Sequence, residues 1–112
     1  MEKIEIKTGA AGHFQIVKVN GRIDAETTKT LIDQLSGLIQ AGKKNIVLDL
    51  EGVTFMSSAG IGAMVKTLSD TKQIKGTLRL ASVRPDVRKV FEILGFASAF
   101  SFFNSLKEAI EK

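Results

Sequence analysis

An apolar run near the middle of the chain, residues 45–50, restricts the fold more than any other part of the sequence. Asp49 is the single charged residue in this run. A run this short and apolar is typical of a strand covered on both faces, and such strands belong mainly to parallel sheets whose faces carry helices. The run therefore predicts an α/β fold built around a buried central strand.

Segments on both sides of this run have the composition of further strands. Residues 3–8 alternate between apolar and polar side chains, as a half-buried strand does. Residues 9–12 are a predicted turn, and the mostly apolar residues 14–19 predict a second strand that forms a hairpin with the first. Residues 77–83 and 99–103 are also predicted strands. Asn20-Gly21 is a hairpin signal, but too few residues follow for a return strand, so we predict a turn leading into a helix.

Capping residues and apolar spacing predict about four α-helices. Asp24 is a good N-cap for a helix over residues 25–41, and Pro85 begins a short helix that ends before Gly95. The serine pair at 57–58 opens a helix that Gly76 ends, and Ser105 opens the last one.

The order of these elements predicts one domain over residues 1–112. An N-terminal hairpin is followed by parallel strands reached through right-handed crossovers, which gives a mixed sheet of about five strands. Functional sites in such sheets tend to lie beyond the carboxyl ends of the parallel strands. The serine pair follows one of these ends.

The composition excludes several classes of function. The 16 basic residues are mixed with 12 acidic ones, and Tyr and Trp are absent, so we do not expect a nucleic-acid partner. The chain has no cysteine and a single histidine, His13, so we expect no metal and no cofactor. No apolar run is long enough to span a bilayer and no signal peptide is evident, so we expect a cytoplasmic protein.

The serine pair is the strongest candidate for a functional site. The first turn of a helix leaves N–H groups unpaired and carries partial positive charge, which favours a serine oxygen or an added phosphate. Either Ser57 or Ser58 can be the cap, and the sequence does not decide between them. Gly60 and Gly62 are expected to leave the surface above this turn bare of side chains. Catalysis is not expected, because a serine nucleophile needs a nearby base and His13 is remote in sequence.

Four pieces of the chain together resemble the STAS domain family, in particular the bacterial anti-sigma factor antagonists. They are Gly21-Arg22-Ile23-Asp24, Ile46-Val47-Leu48-Asp49-Leu50, Phe55-Met56-Ser57-Ser58-Ala59-Gly60-Ile61-Gly62, and a proline-led helix ending in Leu94-Gly95-Phe96. The resemblance implies a STAS-like α/β fold. It also implies that Ser58 matches the serine that is phosphorylated in the family, with Ser57 as the second choice.

The resemblance further implies a partner switch. The unmodified antagonist binds an anti-sigma factor of the GHKL serine-kinase type and frees a sigma factor, phosphorylation blocks this binding, and a serine phosphatase restores it. The expected state is a monomer or weak dimer, without membrane insertion. The residues expected to contact the partner are Asp24, Met56, Ser57, Ser58, Ala59, Gly60 and Gly62.

Two residues depart from the family pattern and leave an alternative open. Ser57 stands where the family has aspartate, and Ala59 where it usually has serine or threonine. In the alternative, the domain has no phosphorylation switch and serves as a subunit of a lipid-trafficking or signalling assembly, or as a nucleotide-binding module. Asp24 is interpreted equally as a helix cap and as a partner contact, while Asp49 is expected to be a hydrogen-bonded structural carboxylate.

Overall fold

The computed structural model describes residues 4–112, which form a single five-stranded sheet with helices on both faces. The strands are β1 (Glu5–Ala11), β2 (Phe14–Ile23), β3 (Asn45–Met56), β4 (Thr77–Ala81) and β5 (Ser101–Phe103). They lie in chain order across the sheet; β1 is antiparallel to β2, and each later pair of neighbours is parallel. The predicted α/β fold, with a hairpin followed by parallel strands, is confirmed.

Four α-helices cover this sheet unequally. They are α1 (Ala25–Gln40), α2 (Ser58–Gln73), α3 (Pro85–Ile93) and α4 (Leu106–Glu111). Helices α1, α2 and α3 supply buried apolar side chains to the larger core on one face, whereas Ala109 of α4 packs on the other face against Phe14, Val47 and Ala81. Strand β3 contributes to both cores, which confirms that it is buried on both sides.

Strands β2 and β3 extend beyond their predicted ends. Asn20-Gly21, predicted as a turn, lies inside β2, and β3 continues beyond the predicted run at 45–50 through residues 51–56. The pairing shifts register near Asn20, and a Cβ at Gly52 would overlap the Asn20 side chain. Because Gly52 has no side chain, the Asn20 side chain fits beside it where the register shifts. Pairing of β2 with β3 therefore overrides the local hairpin signal of Asn20-Gly21.

Other boundaries differ from the predictions by a few residues. Those that differ are the ends of α1 at Gln40, of α2 at Gln73 and of β4 at Ala81, and the start of β5 at Ser101. Strand β1 runs to Ala11, so the hairpin turn is reduced to Gly12-His13, where the φ of +62° suits glycine. Lys3, predicted to begin this strand, lies outside the described residues.

The carboxyl ends of the parallel strands share one edge of the sheet, here called the carboxyl edge. At this edge Ile23 of β2 pairs with Met56 of β3, so α1 and α2 begin side by side. Arg84, the N-cap residue of α3, follows β4 at the same edge. No helix within residues 4–112 has the length and apolarity needed to cross a membrane.

Candidate functional site

The two serines at the start of α2 have different roles. Ser57 is the N-cap: its Oγ accepts a hydrogen bond from the Gly60 N–H at 3.2 Å. Its own N–H donates to the Ile23 carbonyl at 2.8 Å, which ties the cap to the end of β2. Ser58 is the first helical residue and is exposed. The cap is therefore Ser57, and the Ser58 hydroxyl is not needed to begin the helix.

The Ser58 hydroxyl is available for chemistry. Within residues 4–112 it has no hydrogen-bond partner, and the backbone N–H groups of Ser58 and Ala59 have no acceptor there either. These N–H groups belong to the first turn of α2, where the helix dipole places partial positive charge. A negatively charged group attached to this hydroxyl would meet a favourable field.

The two glycines that follow the serines differ in burial and in the space around them. Gly60 is buried, and a Cβ there would lie 2.6 Å from Sδ of Met56 and 2.7 Å from Cγ2 of Ile23. Gly62 is exposed, and a Cβ there would meet nothing within 4 Å. The expectation of a bare surface is therefore correct for Gly62 and wrong for Gly60. Gly60 instead allows α2 to pack closely on the sheet.

Met56 also contributes no side chain to the exposed surface at the start of α2. Its side chain is 2% exposed and belongs to the larger core. It lies under the first turn of α2, where its sulfur faces Gly60. Met56 and Gly60 can thus support the site from below, but neither presents a side chain or a bare backbone to a partner.

Asp24 caps α1 beside the serines. Its Oδ1 accepts hydrogen bonds from the N–H groups of Thr27 at 2.9 Å and Glu26 at 3.0 Å, and its own N–H donates to the Thr27 hydroxyl. The bond from the Thr27 N–H is the main cause of a lowered pKa for Asp24, aided by the positive charge of Arg22 and opposed by partial burial. Asp24 remains partly exposed, so a cap and a partner contact are compatible.

An exposed aromatic residue lies at the same edge of the sheet; it belongs to the family motif but is not among the residues expected to contact the partner. Phe55 is 37% exposed, and the Arg22 guanidinium lies 4.2 Å from its ring centroid. The two residues are cross-strand partners in β2 and β3, one position before the Ile23 and Met56 pair. This pair could be found only by extending both strands past the apparent turn at Asn20-Gly21.

Two other expectations concern residues away from the serines. His13 lies in the turn between β1 and β2, at the edge opposite to Ser58, so the single histidine is out of reach as a base. Asp49 is buried and accepts a hydrogen bond from the Glu51 N–H at 3.1 Å, which agrees with a structural carboxylate. Residues 4–112 contain no group of three or more acidic or histidine side chains placed to hold a metal ion.

Comparison with known proteins places the chain in a family. The family model for the STAS domain matches residues 5–109. The chain belongs to the STAS domain family. BtrV of Bordetella bronchiseptica is 33% identical over 94 residues, which are 84% of this chain and 81% of that protein. The anti-sigma-B factor antagonist of Staphylococcus aureus is 34% identical over 92 residues, 82% of this chain and 85% of that protein.

Solved structures share the fold of this STAS domain. An anti-sigma factor antagonist from Mycobacterium paratuberculosis has a TM-score of 0.84 at 20% identity, over 96% of this chain and 92% of that one. The phosphorylated form of the Bacillus cell fate determinant SpoIIAA has a TM-score of 0.76 at 21% identity, over 96% of this chain and 97% of that one. Identities this low establish the common fold and nothing finer.

Proposed function

We propose that this STAS domain is an anti-sigma factor antagonist that docks through the carboxyl edge and is released when Ser58 is phosphorylated. The observation that carries the proposal is that the Ser58 hydroxyl is exposed while Ser57 caps α2. The S. aureus relative, similar over most of both chains, is named an anti-sigma-B factor antagonist. The same class of partner is therefore proposed here.

Phosphorylation of Ser58 is compatible with the fold. A phosphate adds about −1.5 to −2 charge units at neutral pH, and the N-terminus of a helix favours negative charge. Because the cap bond is made by Ser57, modification of Ser58 breaks no helix hydrogen bond. Ser57 also lacks the carboxylate of the family pattern, so the residue directly before Ser58 adds no negative charge that would oppose the phosphate.

Ser57 is the weaker candidate for modification. Its Oγ already accepts the Gly60 N–H, and its side chain is only partly exposed. A phosphate there would have to replace or distort the cap of α2, whereas a phosphate on Ser58 would not.

The proposed docking surface consists of side chains and bare backbone that share the carboxyl edge. Its members are Asp24, Ser57, Ser58, Ala59 and Gly62, all exposed or partly exposed. A hydrated dianion on Ser58 would stand where a partner packs against this surface. A loss of about 4 kcal/mol in contact energy weakens binding about a thousandfold, which is enough for a switch.

The proposed partner is an anti-sigma factor of the GHKL serine-kinase type. Binding of the unmodified domain would occupy this factor and free a sigma factor for transcription. Phosphorylation by the same kinase would end the complex, and a serine phosphatase would restore the docking-competent form.

Intact mass spectrometry after incubation with the cognate kinase and ATP tests the proposal. We expect one added phosphate on the wild-type chain and none on Ser58→Ala, because that variant lacks the acceptor oxygen. Ser69→Ala is the matched control, since Ser69 is an exposed serine on the same helix. Full phosphorylation of Ser58→Ala, or none of the wild type by a demonstrably active kinase, contradicts the assignment.

A second candidate function follows from the departure at Ser57. In it, the STAS domain has no phosphorylation switch and acts as a subunit of a lipid-trafficking or signalling assembly, or as a nucleotide-binding module. Calorimetry with GTP and ATP tests the ligand version, and flat titrations remove it. Recovery of a transporter component rather than an anti-sigma factor in a pull-down favours the subunit version.

A further inference from the structure

Strand β1 lies at one edge of the sheet, and its outer side is not paired with any strand of residues 4–112. It pairs with β2 over seven residues without a shift in register, whereas β5, at the other edge, is three residues long. Unpaired N–H and C=O groups of an edge strand can pair with a further strand, and many proteins prevent this with short strands, prolines or bulges. Strand β1 has none of these features, so its outer side is open to a further strand.

The charge of Lys7 is poorly compensated within one copy of the chain. Lys7 is exposed in β1, and the residue opposite it in β2 is Lys18. Like charges directly opposite each other on neighbouring strands are destabilising. Lys7 forms no ion pair with another of residues 4–112, in contrast to Lys66, which pairs with Asp70 at 2.9 Å. An acidic side chain on the outer side of β1 would therefore give Lys7 the counter-charge that β2 does not.

Strand β1 itself carries an exposed acidic side chain two positions away, at Glu5. Residues directly opposite each other in an antiparallel pair exchange both hydrogen bonds or none, so two identical strands related by a two-fold axis pair about a single residue. Pairing about Ile6 would place Glu5 of each copy opposite Lys7 of the other copy. Pairing about Glu5 or about Lys7 would instead place two like charges directly opposite each other. The charge pattern therefore favours pairing about Ile6 over the two neighbouring registers.

The apolar side chains of β1 suit the same register. Ile4 and Ile6 are partly buried and pack against the larger core, on the face of the sheet opposite to Glu5 and Lys7. Pairing about Ile6 would bring this side chain against Ile6 of the second copy, and Ile4 opposite Thr8. The contact would cover apolar surface that remains exposed in the single copy, so it adds burial to the backbone hydrogen bonds and the charge pairs.

We propose that β1 is an interface between two copies of this chain, which pair their β1 strands antiparallel about Ile6. The two five-stranded sheets would then form one continuous sheet. An interface of one strand per copy is small, so we expect a weak dimer with a dissociation constant on the order of 0.1 mM. This proposal does not rest on the proposed function, because it concerns association of the chain with itself.

Sedimentation equilibrium of the full chain between about 10 μM and about 1 mM tests the proposal. We expect the mean mass of the wild type to rise from that of a monomer towards that of a dimer over this range. Lys7→Glu and Glu5→Lys should each weaken the dimer about tenfold or more, because each converts both opposite-charge pairs into like-charge pairs. Lys7→Glu also places an acidic residue opposite Lys18, so the fold of the single copy should remain intact.

Charge reversal makes the test specific to the register. A chain that carries both Glu5→Lys and Lys7→Glu should dimerise like the wild type, because each pair is again of opposite charge. An equal mixture of the two single variants should also form a dimer, since one strand is then basic at both positions and the other acidic at both. Lys89→Glu on α3 is the matched control, because it makes the same change of charge at an exposed position away from β1.

Several outcomes would overturn the proposal. A wild type that stays monomeric up to about 1 mM, tenfold above the expected dissociation constant, excludes the dimer and restricts Lys7 to protecting the edge strand. A dimer that neither single variant weakens uses another surface. Equal weakening by Lys89→Glu reduces the effect to net charge. Failure of both the double variant and the mixture to restore the dimer, with circular dichroism showing folded chains, contradicts the pairing about Ile6.

Discussion

At the residue scale, the site depends on the different surroundings of two glycines that lie two positions apart. Gly60 faces the buried side chains of Ile23 and Met56, and a Cβ would approach both more closely than 3 Å. Gly62 is on the outer side of the same turn, with open space around it. The first glycine sets how closely α2 sits on the sheet, while the second only leaves the surface bare.

Substitution of each glycine by alanine should change stability in opposite directions. Gly60→Ala should destabilise the domain by about 1 kcal/mol, since overpacking costs about 1–3 kcal/mol and alanine regains up to about 1 kcal/mol in helix propensity. Gly62→Ala should stabilise it by up to about 1 kcal/mol, because only the propensity gain applies. Urea unfolding of both variants measures the difference. Equal effects of the two substitutions would contradict the close contact at Gly60.

At the element scale, the helices could be predicted from the sequence because their signals are local. Asp24 and Ser105 each stand directly before the first residue of the helix that they were predicted to open, and Pro85 is the first residue of α3, as predicted. The length of a strand depends on how far it pairs with a neighbouring strand, and the local composition does not reveal that pairing. The Asn20-Gly21 pair illustrates this, since its turn signal is overridden by pairing with β3.

The candidate site was predictable in part for the same reason. The start of a helix at the serine pair is a local feature, and it placed Ser58 correctly in the first turn. Which serine caps the helix depends on the backbone conformation of Ser57, and the burial of Met56 and Gly60 depends on Ile23 of another strand. These features depend on tertiary structure, so the pattern of residue types could not predict them.

The cap of α1 should make part of the stability depend on pH. The pKa of Asp24 is lowered in the folded state below its ordinary value of 3.8, chiefly by the Thr27 N–H. The stabilisation from the ionised cap is therefore present above pH 3.8 and is lost as the pH falls through the lower folded pKa. Asp24→Asn keeps a good N-cap but cannot titrate, so it should lose less stability on acidification.

Urea midpoints of the wild type and Asp24→Asn, compared from neutral pH to below pH 3.8, measure this dependence. Asp33→Asn is the matched control, because Asp33 is an exposed carboxylate in the interior of the same helix. The gap between wild type and Asp24→Asn should narrow or reverse as the solution becomes acidic. A gap that stays constant over this range, or an equal change in Asp33→Asn, argues against a titrating cap.

At the scale of the whole molecule, one exposed apolar side chain lies at the carboxyl edge of the sheet and another lies away from it. Phe55 is 37% exposed at the carboxyl edge, three residues before Ser58, and the Arg22 guanidinium lies over its ring. Ile93 is 72% exposed in the last turn of α3, a helix that begins at the carboxyl edge and runs away from it. Of the two, only Phe55 lies at the edge of the sheet that carries the proposed docking surface.

This difference predicts where the anti-sigma factor binds. Phe55→Ala should weaken the complex about tenfold or more, because truncation of an aromatic contact in an interface commonly costs over about 1 kcal/mol. Ile93→Ala removes a more exposed apolar side chain, yet it should leave the affinity unchanged. Ile93→Ala is at a surface position and should alter the free energy of unfolding by roughly 0.5 kcal/mol or less. Phe55→Ala should cost more stability, because the side chain is only 37% exposed and its ring carries the Arg22 guanidinium, so affinities are compared at a temperature at which both variants are folded. Calorimetric titration of the unphosphorylated variants with the anti-sigma factor measures both affinities. If only Ile93→Ala lowers the affinity, the docking surface lies at the C-terminal end of α3 and not at the carboxyl edge.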